Sequence, residues 1–259
     1  MILKGKTVII TGIGPGMGRK MAVGAAREGA NVAMAARSAP FLKEVRAEIE
    51  EFGGKVIDVV TDVSKMEDCQ NIADATIKAF GRIDGLVNSA YYHPDWHNFE
   101  SCDLDQWARA YDVACMGAMR MIRCVLPHMK AQGGGSVVNV TTLATRKPMQ
   151  GEGGYAIAKA GLGQVTRQLA VELGPYNIRV NQSVMGWLWG APLEGYINNM
   201  VASGVDRDQL MGEITNRIAL KRMLPDQDCA KPIFFLLSDY ASEVTGAALE
   251  VNGGEYVSP

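Results

Sequence analysis

The sequence TVIITGIGPGMG, residues 7–18, decides the fold of this chain. Its first five residues are apolar or β-branched, which predicts a buried β-strand over residues 7–11. The glycines that follow allow a tight turn, and we expect a helix to begin near Arg19. A strand, a glycine-rich turn and a helix in this order let backbone N–H groups approach a pyrophosphate at the helix N-terminus. The stretch therefore predicts a dinucleotide site that is built by Gly12, Gly14, Pro15, Gly16, Met17 and Gly18.

Strand-like and helix-like segments alternate along the rest of the chain. Six further short apolar, β-branched runs lie at 31–36, 55–60, 84–87, 136–141, 178–184 and 247–251. Stretches with helical spacing lie between the strands, at 19–29, 41–52, 65–80, 104–131 and 155–174. Parallel strands joined by right-handed crossovers account for this order. We therefore predict an α/β fold with one Rossmann-type, doubly wound, parallel seven-stranded sheet and helices on both of its faces.

The chain contains no repeat, low-complexity tract or linker that would divide it. Residues 1–259 are therefore predicted to form a single dinucleotide-binding and catalytic domain. The segment 186–217 breaks the alternation after the sixth strand, and insertions at the carboxyl end of a strand commonly cover a substrate. We predict that it is a substrate lid, and we call residues 186–217 the lid segment.

Composition excludes several classes of protein. With 26 basic and 28 acidic residues, the net charge of −2 gives no electrostatic basis for nucleic-acid binding. No apolar run approaches the roughly 18–20 residues of a membrane span, and the N-terminus lacks the apolar segment of a signal peptide. The five cysteines have no metal-ligand spacing, and Pro94 interrupts the only close histidine pair, His93 and His97. We expect a soluble cytoplasmic protein that acts on a small molecule and has no metal site.

The residues after the second strand bear on the choice of dinucleotide. An NAD site places an acidic residue about 20 residues beyond the glycines, on the ribose hydroxyls. Between Gly29 and Lys43 this chain has neither Asp nor Glu, and Arg37 and Ser38 follow the strand instead. Arg37 can bind a 2′-phosphate as a charge-assisted fork with Ser38 as a second donor, although it can also be an ordinary solvated arginine. NADP(H) is predicted as the preferred cofactor, and NAD(H) stays possible.

A second group of residues indicates proton transfer. Tyr155 and Lys159 stand four residues apart in a predicted helix, so their side chains share one face. A phenol titrates near pH 10, and a neighbouring ammonium favours its charged form and lowers that pKa. Thr142 ends the strand that precedes this helix and can bind the same substrate oxygen. We predict that Tyr155, Lys159 and Thr142 are the catalytic residues of a hydride-transfer enzyme.

Further motifs follow the first turn in order. They are Asp62-Val63, Asn88-Ser89-Ala90, Tyr155 with Lys159, Arg179-Val180-Asn181 and Val251-Asn252-Gly253-Gly254. Together with the pattern T-G-x-x-x-G-x-G at residues 11–18, they resemble the short-chain dehydrogenase/reductase family over essentially the whole chain. The resemblance implies an oxidoreductase acting on CH–OH or C=O groups with NAD(P), assembled as a homotetramer or homodimer.

The resemblance also implies roles for individual residues. Tyr155 would be the acid/base, and Lys159 would orient the nicotinamide ribose and tune the tyrosine. The other implied cofactor contacts lie at the adenosine, through Asp62, Val63, Asn88, Ser89 and Ala90, and at the nicotinamide, through Met185, Gly186 and Leu188.

Five positions depart from the family pattern. Thr142 stands where the family usually has Ser, and Met185 where it has Pro. Ser89 and Tyr91 stand where it usually has Asn and Gly. Ala114 replaces an Asn that supports a helix kink, whose main-chain carbonyl holds a water leading from the lysine to solvent. Ala114 keeps the carbonyl and loses the side chain, so we expect a weakened proton relay.

Aromatic residues around the predicted site indicate the substrate. Pockets are mostly apolar with a few placed polar groups. We predict that a bulky apolar, cyclic or aromatic ketone or secondary alcohol contacts Tyr91, His93, Thr142, Trp187, Trp189 and Tyr196. Two alternatives stay open. One is reduction of a 3-oxoacyl thioester, whose carrier would dock on Arg120, Arg123 and Lys130; the other is a catalytically weakened dinucleotide-binding scaffold.

Overall fold

The computed structural model of the protein describes residues 1–257. Seven strands form one sheet in the order β3-β2-β1-β4-β5-β6-β9, and every neighbouring pair is parallel. The strands are β1 (Thr7–Thr11), β2 (Asn31–Ala36), β3 (Val56–Val60), β4 (Gly85–Asn88), β5 (Gly135–Thr142), β6 (Ile178–Met185), β7 (Leu188–Trp189), β8 (Leu224–Pro225) and β9 (Ala248–Val251). The predicted α/β fold with a seven-stranded parallel sheet is confirmed.

Nine α-helices accompany the sheet within the described residues. They are α1 (Met17–Arg27), α2 (Ala39–Glu51), α3 (Met66–Phe80), α4 (Leu104–Tyr111), α5 (Gly117–Ala131), α6 (Gly153–Leu173), α7 (Ala191–Ala202), α8 (Arg207–Arg217) and α9 (Asp226–Leu237). The sequence analysis did not predict α7, α8 or α9.

The sheet is buried on both faces. Val8, Ile9 and Ile10 of β1 are fully buried, because successive side chains point to opposite faces and helices cover each face. Val8 and Ile10 join the apolar cluster on the side of α1, α2 and α9. Ile9 joins the cluster on the side of α3, α5 and α6.

One predicted helix is wrong in its continuity. Residues 104–131 form two helices, α4 and α5, which are separated by a π-helical turn over Asp112–Met116. In that turn the N–H of Gly117 donates to the carbonyl of Asp112, five residues earlier. A π turn adds one residue and leaves the apolar periodicity on either side intact, so the pattern alone predicts a continuous helix.

The strand order reverses beside β1, which lies between β2 and β4. The chain runs outward from β1 to β2 and β3, and then crosses back to β4. Loops that leave the carboxyl ends of β1 and β4 therefore diverge and open a crevice, the usual ligand site of such sheets. The Thr11 hydroxyl joins the two loops, since it donates to the carbonyl of Val87 (3.3 Å) and accepts from the N–H of Ser89 (3.1 Å).

The lid segment has a small hydrophobic core of its own. It contains β7, α7 and α8, and β7 pairs with β8 outside the main sheet. The buried side chains of this core are Leu193, Ile197, Leu210, Ile214 and the adjoining Ile218. Among residues 1–257, no helix has both the length and the apolar character to cross a membrane.

Candidate active site

The glycine-rich turn leaves room for a ligand at the N-terminus of α1. Gly12 has φ +77°, and a Cβ there would lie 2.6 Å from the backbone nitrogen of Ala90, so only glycine fits. A Cβ on Gly14 would meet no atom closer than 4.0 Å. Gly16 caps α1 without a side-chain acceptor, and the first turn carries no acidic residue. The free N–H groups and the open space fit the pyrophosphate of a dinucleotide.

A cavity of about 410 Å³ runs from this turn to the lid segment. The predicted site residues that line it are Gly12, Gly14, Pro15, Gly16, Met17, Gly18, Ser89, Tyr91, His93, Thr142, Tyr155, Lys159, Met185, Gly186, Trp187, Leu188, Trp189 and Tyr196. The structure thus brings most of the predicted cofactor, catalytic and substrate residues around one space.

The catalytic residues predicted from sequence meet in the middle of this cavity. Tyr155 lies in the first turn of α6, and a hydrogen bond links its hydroxyl to that of Thr142 at the end of β5. The position of this turn depends on Gly154, where a Cβ would lie 2.6 Å from the indole of Trp107. Because Gly154 has no side chain, the backbone of α6 packs directly against that ring. This contact fixes the position of Tyr155, the next residue along the helix.

Lys159 lies one turn further along α6 and is only 2% exposed. Its Nζ donates a 2.8 Å hydrogen bond to the carbonyl of Val140 and lies 6.0 Å from the centre of the Tyr155 ring. Burial lowers the pKa of Lys159 to about 8, although the nearby Cys115 opposes this shift. The side chain can therefore supply an ammonium beside the tyrosine near neutral pH.

The protein's own groups favour the neutral form of Tyr155, so the lowered pKa that was expected from the neighbouring Lys159 is not the net effect. Burial raises its pKa, and Tyr91 and the charge of Glu152 raise it further, while the hydrogen bond from Thr142 lowers it. A neutral phenol can donate its proton to a substrate oxygen that becomes negatively charged.

Aromatic rings form the wall of the cavity that faces Tyr155. The ring of Tyr91 packs edge-on to Tyr155 at 5.9 Å, and that of His93 lies 5.0 Å from Tyr155. Trp96 stacks on His93 at 4.8 Å and on Tyr196 of the lid segment at 5.9 Å. Trp96 remains 52% exposed, so the mouth of the cavity presents free aromatic surface.

His93, one of these rings, forms an ion pair with Glu152. His93 Nε2 lies 3.3 Å from Oε2 of the buried Glu152, and Nδ1 lies 2.7 Å from the carbonyl of Pro94. Burial alone lowers the pKa of His93, but the hydrogen bonds to Glu152 and Pro94 and the carboxylate charge outweigh it and raise the pKa. Because both ring nitrogens face acceptors, the imidazolium form is favoured.

Several predicted cofactor residues lie outside the cavity lining: Arg37, Ser38, Asp62, Val63, Asn88 and Ala90. Arg37 and Ser38 are exposed after β2. Hydrogen bonds from Ser64 lower the pKa of Asp62, and the positive charge of Arg37 lowers it further. The carboxylate of Asp62 and the guanidinium of Arg37 are therefore near enough to interact electrostatically.

The side chains of Asn88 and Val63, two predicted cofactor residues, are both buried in the protein. The side chain of Asn88 is buried and donates to Asn139 at 2.9 Å. Val63 packs its side chain in the core against Gly117, and its carbonyl accepts from Arg120 at 3.4 Å.

Ala114 occupies the π turn beside the catalytic helix. Its side chain is buried with Ala110 and Ala158 in a cluster of small residues. The irregular turn is therefore present without the amide side chain that the family usually has there.

Sequence reasoning missed Glu152, Met149 and the carbonyl of Val140 as parts of the site. For Glu152 a signal existed, since it precedes Tyr155 by three residues and such residues share a helix face. Across residues 1–257, no three His, Cys, Asp or Glu side chains come together in a group that could hold a metal ion.

Comparison with known proteins agrees with this geometry. A family model described as "Enoyl-(Acyl carrier protein) reductase" matches residues 12–255. The "Short chain dehydrogenase/reductase astE" of Aspergillus oryzae is 34% identical over 254 residues, covering 97% of this chain and 95% of that protein. L-Rhamnose 1-dehydrogenase (NAD(P)(+)) of a Sphingomonas species is 33% identical over 264 aligned positions, covering 99% of this chain and 98% of that protein.

The crystal structure of L-sorbose reductase from Gluconobacter frateurii, complexed with NADPH and L-sorbose, has a TM-score of 0.94 and 27% identity, with 100% of both chains covered. The fold, the convergence of Thr142, Tyr155 and Lys159, and these relatives lead to one conclusion. The chain belongs to the short-chain dehydrogenase/reductase family and is an NAD(P)-linked oxidoreductase that acts on CH–OH or C=O groups.

Proposed function

We propose that this enzyme interconverts a ketone and a secondary alcohol on a bulky cyclic or aromatic substrate, with NADP(H) as the preferred cofactor. The observation that carries the proposal is the position of Thr142, Tyr155 and Lys159, between an uncapped helix N-terminus and an aromatic wall. The cavity of about 410 Å³ is shared between dinucleotide and substrate, since it is lined both by the glycine-rich turn and by the aromatic residues.

The residues divide the proton chemistry between them. When it is bound, the nicotinamide supplies or accepts the hydride at the substrate carbon. Tyr155 donates its phenolic proton to the substrate oxygen during reduction, and its phenolate removes that proton during oxidation. The Thr142 hydroxyl orients the same oxygen. The Lys159 ammonium, whose Nζ lies 6.0 Å from the centre of the Tyr155 ring, stabilises the phenolate.

The preference for NADP(H) rests on Arg37. Its guanidinium is exposed after β2, and no hydrogen bond or ion pair to it occurs within residues 1–257. A free guanidinium there suits a 2′-phosphate, and the absence of an acid between Gly29 and Lys43 removes the usual ribose acceptor of an NAD site. The relatives do not decide this point, because one is named for NAD(P)(+) and another holds NADPH.

Replacing Arg37 with Ala should weaken NADPH binding by about 10- to 100-fold and leave NADH binding nearly unchanged, because charge-assisted hydrogen bonds are lost only with the phosphate. Fluorescence titration of each protein with each reduced cofactor measures this. Arg27→Ala, at the exposed end of α1, is the matched control and should leave both titrations unchanged. A wild-type protein that binds NADH more tightly than NADPH would overturn the NADP(H) proposal.

The substrate proposal rests on the aromatic wall. The rings of Tyr91, Trp96, Trp187 and Tyr196 offer flat apolar faces to a ring, and two relatives carry the names of sugars, L-rhamnose and L-sorbose. Consumption of NADPH with cyclic ketones, compared with open-chain ketones of equal carbon number, tests it. Equal or greater turnover of the open-chain ketones would count against a ring-shaped site.

The two alternative functions have less support. A carrier that delivers a 3-oxoacyl thioester needs free basic side chains, but Arg120 forms an ion pair with Asp112 at 2.6 Å, and Lys130 lies over the ring of Tyr176 at 3.5 Å. A scaffold without catalysis has no need for the complete set of Thr142, Tyr155 and Lys159 that surrounds the cavity.

We also propose that the lid segment covers the substrate and that the protein is a homotetramer or homodimer. Exposed apolar side chains on α4, α5 and α6 support association: Tyr111 (41% exposed), Met119 (39%) and Ile157 (56%). Sedimentation equilibrium at micromolar concentration should give a mass of two or four chains, because burying these side chains removes apolar area from water. A monomer under these conditions would contradict the assembly.

A further inference from the structure

The mechanism above leaves one buried carboxylate of the cavity without a role. Glu152 is the N-cap residue of α6 and lies one turn before Tyr155, so both side chains face the same space. Its side chain is only 7% exposed. A buried carboxylate is costly unless it is paired, and the partner of Glu152 is His93.

His93 holds Glu152 in a fixed position. The imidazole donates to Oε2 of Glu152 and to the carbonyl of Pro94, and its ring stacks on Trp96 and makes a tilted contact with Tyr155. Contacts with both rings and hydrogen bonds at both nitrogens restrict the rotation of the imidazole. The carboxylate is therefore oriented before any substrate arrives.

One oxygen of this carboxylate is available to a ligand. Oε2 accepts from His93, whereas Oε1 accepts no hydrogen bond from any group in residues 1–257, and the side chain lines the cavity. An ionised carboxylate has about four lone-pair sites, so Oε1 can accept a hydrogen bond from a bound molecule.

The surrounding charges select the kind of donor. An ammonium group on the ligand would face the cations of His93 and Lys159, and His93 already neutralises the charge of Glu152. A carboxylate on the ligand would meet Glu152 itself. A neutral hydroxyl gains a charge-assisted hydrogen bond from the pair without either repulsion.

We propose that Glu152, positioned by His93, is a specificity-determining residue that accepts a hydrogen bond from a second hydroxyl of the substrate. The preferred substrates are then ring hydroxyketones and ring diols, with the second hydroxyl next to the reacting carbon and the C–H faces of the ring against the aromatic wall. This inference rests on the proposed function, since it names the substrate class of the same site.

Matched probes test the inference directly. With NADP⁺, kcat/KM for trans-1,2-cyclohexanediol should exceed that for cyclohexanol by about 10-fold or more, as expected for one hydrogen bond to a charged group. In Glu152→Met this ratio should fall to within about twofold of unity, because the acceptor is gone. Glu152→Gln keeps an acceptor oxygen and should retain part of the preference. Glu172→Met, at an exposed position of the same helix, is the control that should leave the ratio unchanged.

A binding measurement separates this inference from the proposed function. Quenching of tryptophan fluorescence, with Trp96 and Trp187 in the cavity wall, reports the affinity for each probe whether or not it reacts. The diol should bind about 10-fold more tightly than cyclohexanol to the wild-type protein and equally to Glu152→Met.

The outcomes have different meanings. Turnover of neither probe, with the diol still bound more tightly in a Glu152-dependent way, would count against the proposed reaction and support the role of Glu152. Equal affinity for diol and alcohol, or measurable turnover of both with equal kcat/KM, in the wild-type protein would overturn the inference. A still stronger preference for 2-aminocyclohexanol would also overturn it, in favour of an ammonium ligand.

Discussion

Tyr155→Phe should lower kcat by about 10²–10⁴-fold, because it removes the group that moves the proton at the substrate oxygen. The ring remains, so its packing against Tyr91 and His93 is kept. We therefore expect the NADPH dissociation constant and the melting temperature to stay close to those of the wild-type protein. A loss confined to the chemical step separates a catalytic role from a structural one.

Single-turnover kinetics with a cyclic ketone and NADPH would measure this loss without interference from product release. Tyr240→Phe is a matched control, since that hydroxyl lies on a ring that is 77% exposed. The control should be fully active. Turnover by Tyr155→Phe at the wild-type rate would end the mechanism proposed above.

Lys159→Met should reduce activity by about 10²-fold or more and make the folded protein more stable at pH 7. Burial holds the folded-state pKa of Lys159 near 8, below the ordinary value of 10.5. The folded state thus binds the proton of Lys159 more weakly than the unfolded state does. Below pH 8 the buried ammonium carries its full desolvation cost, and that cost disappears as the pH rises from 8 towards 10.5.

At pH 7 we expect Lys159→Met to raise the free energy of unfolding by about 1–2 kcal/mol. The increase is smaller than the desolvation cost alone, because the variant also loses the hydrogen bond to Val140. Urea unfolding at pH 7 and at pH 10 measures it, and the advantage of the variant should shrink at the higher pH. Lys55→Met, at an exposed position, should show no such difference between the two pH values. A Lys159 variant that is less stable than wild type at both pH values would contradict the prediction.

The fold was accessible to sequence reasoning because it depends on local patterns. Val8, Ile9 and Ile10 form a continuous apolar run because β1 is covered on both faces. Six further runs marked the other six strands of the main sheet to within one residue at either end, whereas the two-residue strands β7 and β8 were not predicted. The glycine-rich turn could also be predicted from the sequence. At Gly12 the positive φ and the close approach of the backbone to Ala90 permit no other residue type.

The parts that escaped prediction depend on contacts between distant residues. His93 and Glu152 are 59 positions apart, and nothing in the periodicity of either segment indicates that they pair. Arg120 looked like a free base on a helix, but its partner Asp112 lies across the π turn, which the apolar pattern does not register. The placement of Tyr155 and Lys159 in one cavity could be predicted, because residues four apart in a helix share one face.

The separate core of the lid segment affects how this enzyme can change over generations. Ile197, Leu210 and Ile214 bury one another rather than joining the clusters of the main sheet. Substitutions at Trp187 or Tyr196 that change the shape of the cavity entrance therefore affect the packing of the lid segment and not that of the main sheet. The main sheet and the glycine-rich turn are left unaltered, so a lineage can acquire a new substrate without losing the ability to fold. The same division makes helices α7 and α8 of the lid segment the natural target for randomisation in the laboratory.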